Sequence, residues 1–103
     1  MKLIKILSER IEDEIEDIEH YSKLALDVKE DHPGLAHTLH TIATQEDGHQ
    51  AMLHSEVVKL IQEYRKEHGE PPAAMMAVYD YLHKRHIEKL AEARRYMDMY
   101  KSM

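Results

Sequence analysis

No cysteine occurs among the 103 residues, which excludes disulfides, thiolate catalysis, cysteine-ligated zinc fingers and cysteine-held iron–sulfur clusters. The chain also lacks any run of about 18 apolar residues, so no segment is expected to span a membrane. Its N-terminal MKLIKILSER has too short an apolar stretch and no small-residue cleavage site for a signal peptide, and the expected location is the cytoplasm. Basic residues are the minority, 14 against 20 acidic, for a net charge of −6. Such a chain is poorly suited to gripping a phosphate backbone, and no nucleic-acid partner is expected. The imbalance is local: residues 1–31 hold five Lys/Arg and ten Asp/Glu, 32–67 hold three and five, and 68–103 hold six and five. Glycine and proline are scarce, three of each. All but Gly48 fall in two clusters, Asp31-His32-Pro33-Gly34 and His68-Gly69-Glu70-Pro71-Pro72.

What remains is 33% charged and 43% apolar, the balance of one soluble domain spanning 1–103 with a single core. The two clusters leave helices over about 3–30, 35–67 and 73–101, roughly 28, 33 and 29 residues long against a typical length of about 11–12. Runs of alternating apolar residues, which strands need, are missing. The first segment places Ile4, Leu7, Ile11, Glu14, Ile18, Tyr21, Ala25 and Val28 on one 3-4 stripe. The second places Leu39, Ile42, Glu46, His49, Leu53, Glu56 and Leu60 on another. The third gives Met75, Tyr79, Leu82, His86, Leu90, Ala93 and Met97. The expected fold is therefore all-α, with three long antiparallel helices. Helices about 40 Å long, at about 1.5 Å per residue, shield such seams poorly alone. A four-helix core completed by a homodimer, the commonest symmetric assembly, is the expected remedy.

Polar residues interrupt these stripes at few places. A carboxylate such as Glu14 in an apolar seam must be neutralised, paired or bound to a cation. A wet seam or a neighbouring lysine would serve, but helix 2 adds Glu46-Asp47-Gly48-His49, a Glu-x-x-His whose two side chains leave the same helix face. That spacing lets a carboxylate and an imidazole converge on one metal, as in carboxylate-bridged di-iron bundles. In an antiparallel hairpin, residues equidistant from the turn face each other. The midpoint of 14 and 46 is 30 and that of 14 and 49 is 31.5, both at the first turn. Glu14, Glu46 and His49 thus fall at one height, as candidate metal ligands. They are half of a di-metal set, and a dimer pairing helices 1 and 2 of both chains would supply the rest. Carboxylates and imidazoles suit iron or manganese, and no thiolate favours softer metals; zinc is the other candidate. Gly48 beside them is expected to permit close approach of another backbone.

The stretches IEDEIEDIEHYSKLALDV and HTIATQEDGHQAML resemble the first and second helices of the rubrerythrin di-iron domain in the ferritin-like superfamily. The likeness covers about residues 7–57 and puts Glu14, Glu46 and His49 at ligand positions. It implies a non-haem di-iron protein. Rubrerythrins carry a second ligand-bearing helix pair in the same chain, and helix 3 here has no Glu-x-x-His. They also carry a cysteine-rich rubredoxin module, so the electron donor here is unknown. The half-sized arrangement is similar to encapsulated ferritins, in which two chains complete one ferroxidase centre. There a Tyr follows the helix 1 ligand by seven residues, as Tyr21 follows Glu14. No encapsulation peptide is recognisable in YMDMYKSM.

Tyr21 would hydrogen-bond a ligand or quench radicals, or else be a core tyrosine with a satisfied hydroxyl. Glu56 and His86 are equidistant from the second turn to within about one helical turn. They form either a secondary metal site, with His83 or His54, or a buried hydrogen bond. His20, His32, His37, His40 and His68 fall off the stripes or at turns, and Glu12, Asp13, Glu16, Asp17 and Glu19 read as a solvated outer face. Three functions follow. The first is a di-iron protein that oxidises Fe(II) or reacts with O₂ or peroxide, which makes a ferroxidase or other oxidoreductase the candidate enzyme. The second is a non-catalytic helical scaffold whose polar layer fixes register. The third is a mononuclear zinc or regulatory site on His83 and His86 with Asp80.

Overall fold

Two turns, both at the Gly/Pro clusters, divide the chain into α1 (Lys2–Val28), α2 (Pro33–His68) and α3 (Ala73–Ser102) in a computed structural model that describes residues 2–102. No strand occurs among the described residues. In the first turn the His32 N–H donates to the Val28 carbonyl at 2.7 Å. Pro33 then opens α2, where its missing N–H has no helical partner to lose. The second turn needs a left-handed residue, and Gly69 supplies it at φ 77°, its N–H donating to the Arg65 carbonyl at 2.9 Å. Pro71 and Pro72 block continuation of α2, and the Pro72 carbonyl accepts from the Met75 and Met76 N–H groups in the first turn of α3.

α1 lies in the middle. It packs along both other helices, whereas α2 and α3 approach each other over very little of their length. Touching two neighbours requires a broad buried face. Ser8, Ile15 and Ser22 therefore join Ile4, Ile11, Ile18 and Ala25 inside. The core has two parts. Ile4, Ile11, Ile15, Val57 and Ile61 fill the end near the second turn. Ile18, Ala43, Ala93 and Met97 fill the other, where Ala25 and Ala36 are also fully buried. Small residues there let the helices approach closely. The molecule measures 56 × 19 × 18 Å, with a radius of gyration of 16.5 Å, against about 13 Å for a compact chain of this length.

This arrangement shifts the stripes expected from sequence. Leu7, Glu14, Tyr21 and Val28 are half-buried rather than buried, as are Ile42, Glu46, Leu53 and Leu60. His49 and Glu56 are exposed. On α2 the buried edge is Ala36, Leu39, Ala43, Gln50, Val57 and Ile61, displaced towards α1 and α3. The outer-face reading of α1 also needs correcting. Glu12 accepts from Arg85 at 2.7 Å and pairs with Lys89 at 3.0 Å, and Glu16 pairs with Lys89 at 3.3 Å. Hydrogen bonds from Arg85 and then Lys89 hold the Glu12 carboxyl below its ordinary range.

Gly48 departs from expectation as well, because a Cβ placed there meets nothing within 4 Å. No backbone of this chain needs the space. Gly48→Ala is expected to stabilise the metal-free chain by about 1 kcal/mol through helix propensity alone. Thermal melts followed by circular dichroism would register a rise of roughly 4–8 °C for that change.

Candidate metal centre

Antiparallel packing of α1 on α2 brings Glu14 to Glu46 and His49, as the midpoint arithmetic requires. His49 Nδ1 lies 3.6 Å from Glu14 Oε2 and 3.5 Å from Glu46 Oε1. One ligand atom from each of the three side chains falls within 4.8 Å of the others. Glu14 and Glu46 are only 26% and 18% exposed, while the His49 side chain is 49% exposed. The separations are too long for good hydrogen bonds, and Glu14 Oε2 is buried without any hydrogen-bond partner. An orphaned carboxylate oxygen costs free energy unless a proton donor or a cation meets it. Two carboxylates and an imidazole around that oxygen fit half of a di-iron ligand set in residue type and in number.

The local sequence explains how these groups are aimed. Glu46 and His49 leave α2 on one side, and Asp47 and Gln50, each one residue further on, leave it on another. Asp47 is held by Arg94 of α3 in a bidentate pair at 2.8 and 2.9 Å and accepts from the Gln50 amide at 3.0 Å. The Arg94 guanidinium keeps its carboxyl below the ordinary range. This pair ties α2 to α3 at the residue next to Glu46. Sequence reasoning passed over Asp47 and Arg94. The one available signal was the i, i+3 pairing of Asp47 with Gln50 on a helix whose stripe lay elsewhere.

Glu14 and His49 line an open groove of about 520 Å³ together with Met52, Leu53, Glu56 and Lys59. Met52 is 62% exposed. α3 contributes no residue to this groove, so the groove lies on the α1/α2 hairpin alone. Tyr21 is half-buried against the Ile18 cluster and does not line the groove. Glu56 sits at the groove's edge, where it accepts from Lys59 at 3.1 Å. His86 is buried instead in a different cavity, with His54 and His83. The structure therefore does not bring Glu56 and His86 together. Nor does Asp80 join His83 and His86, since it lines a cavity with Arg65 and Tyr79.

No described helix is long and apolar enough to cross a membrane. Comparison with curated proteins and with solved structures finds no match. The family model described as Rubrerythrin, however, matches residues 5–103. That match covers nearly all of the chain, most of α1 and all of α2 and α3 included. The chain belongs to the rubrerythrin family.

Proposed function

We propose that two copies of this chain close over their Glu14–Glu46–His49 faces and hold iron between them, as a di-iron protein that oxidises Fe(II) or reacts with O₂ or peroxide. The observation that carries this reading is the buried, unpartnered Glu14 Oε2 set against Glu46 and His49. Pairing two such half-sets supplies the four carboxylates and two imidazoles of a complete di-metal centre. Half-buried Leu53 and exposed Met52 line the groove beside Glu14 and His49, apolar surface that covering by a second copy would remove from water. Bound iron would supply one-electron chemistry towards oxygen or peroxide.

The chain's own residues account for the rest. Glu14 and Glu46 offset the metal charge, and His49 presents Nδ1 to both carboxylates. Asp47, already engaged by Arg94, does not compete for the ion. The apolar flanks restrict water once the groove is covered. None of these residues can build a rubredoxin-type iron centre, because cysteine is lacking.

Metal analysis combined with analytical ultracentrifugation after anaerobic Fe(II) loading tests the proposal. The expected result is a dimer holding as many irons as chains. A monomer that takes up no iron, with melting indifferent to chelators, would leave the scaffold reading in its place.

A further inference from the structure

A second cavity, of about 220 Å³, opens between the helices and shares no lining residue with the groove at Glu14. His54 of α2 and His83 and His86 of α3 line it, backed by Ile11, Ile87 and Leu90. His86 is 8% exposed, and its Nε2 is buried with no hydrogen-bond partner. The His54 and His83 rings lie parallel, 8° apart in plane with centroids at 4.7 Å, and Tyr79 stacks on His83 at 5.7 Å. His86 thus brings a buried ring nitrogen without a partner to the wall of a cavity that two more imidazoles line, which leaves a ligand position unmet. Burial, its largest cause, pushes both His54 and His86 below the ordinary 6.5, which keeps these rings neutral at neutral pH with a lone pair to donate.

We propose that His54, His83 and His86 form a second metal site, an all-imidazole site for a late divalent transition ion such as Zn²⁺, which ties α2 to α3. His83 and His86 stand one turn apart on α3, at the i, i+3 spacing that lets two side chains meet, and His54 approaches from α2. The nitrogens are not gathered on one point as those of the Glu14 group are, so ligation turns His83 about its side-chain bonds out of the stack. No carboxylate lines the cavity. Nitrogen donors without carboxylates favour zinc, copper or nickel over the iron and manganese that suit Glu14, Glu46 and His49. Glu12, although held by Arg85 and Lys89, favours positive charge at His86, while Lys89 opposes it. The site lies where the fold is least joined, since α2 and α3 otherwise touch so little.

Zn²⁺ titration of the full chain carrying Glu46→Ala and His49→Ala isolates this site from the first. One calorimetric binding event and a rise in Tm with zinc are expected. Adding His83→Ala or His54→Ala, both at half-exposed positions, should weaken binding by about tenfold or more, with helical circular dichroism confirming an intact fold. His37→Ala should leave it unchanged. In ¹⁵N spectra of labelled imidazoles, zinc should move ring nitrogens of His54, His83 and His86 and leave His37 in place. The proposal is overturned if the doubly substituted chain binds no zinc. It is equally overturned if zinc binding survives both His54→Ala and His83→Ala. Either failure leaves the iron reading at Glu14 untouched, because the two sites share no residue.

Discussion

Glu46→Ala is expected to abolish iron retention by the full chain, measured as iron per chain after gel filtration, while helical content stays unchanged. A dimeric centre loses two of its four carboxylates through that one substitution, and the remaining groups carry too little negative charge to hold two ions. The carboxylate is mostly buried but makes no hydrogen bond that the fold needs, so binding should fall without collapse. A companion substitution separates metal binding from stability. Glu14→Leu removes the orphaned oxygen, and the metal-free chain should gain about 1 kcal/mol as that desolvation penalty disappears. Retention of full iron stoichiometry in Glu46→Ala would remove the di-iron reading altogether. A metal-binding loss paired with a stability gain in Glu14→Leu is the signature of a site built for a cation rather than for the fold.

The largest loss of stability is expected at Ile18, which is 0% exposed at the centre of α1. Its side chain meets Ala43 of α2 and Ala93 and Met97 of α3, so truncation opens a void that all three helices border. Ile18→Ala should cost roughly 3–4 kcal/mol, a large fraction of a small domain's total of about 5–15 kcal/mol. The corresponding fall in Tm is roughly 15–25 °C, read from thermal melts. Leu24→Ala, at an exposed position of the same helix, should cost under about 1 kcal/mol in the metal-free monomer. The contrast checks that α1 buries its Ile15–Ile18 side, and not the side carrying Glu14.

The level of the site was legible because it depends only on where an antiparallel hairpin turns. The Gly/Pro clusters mark those turns, and Glu14 accordingly meets Glu46 and His49. The depth of the site was less legible. A seven-residue rhythm puts Leu7, Glu14 and Tyr21 on the same stripe as Ile4, Ile11 and Ile18, but a helix serving two neighbours buries only the second set completely. Ser8, Ile15 and Ser22 take further inside positions, and the two serines among them give no apolar signal. The bearing of α3 around α1 leaves no periodic trace at all. For that reason Glu12 and Glu16 read as solvated, the Asp47–Arg94 clamp passed unseen, and His54 was not matched firmly with His83 and His86.

The small side chains around Ala43 have a consequence for chemistry. Ala43 is fully buried one turn before Glu46, and nothing larger than its methyl group separates α2 from Ile18 of α1 there. Helix axes in contact lie about 8–10 Å apart, according to the bulk between them. The width across which Glu14 faces Glu46 is therefore gauged by an alanine that binds nothing. A larger side chain at that spacer would push the two helices apart and widen the gap between Glu14 and Glu46.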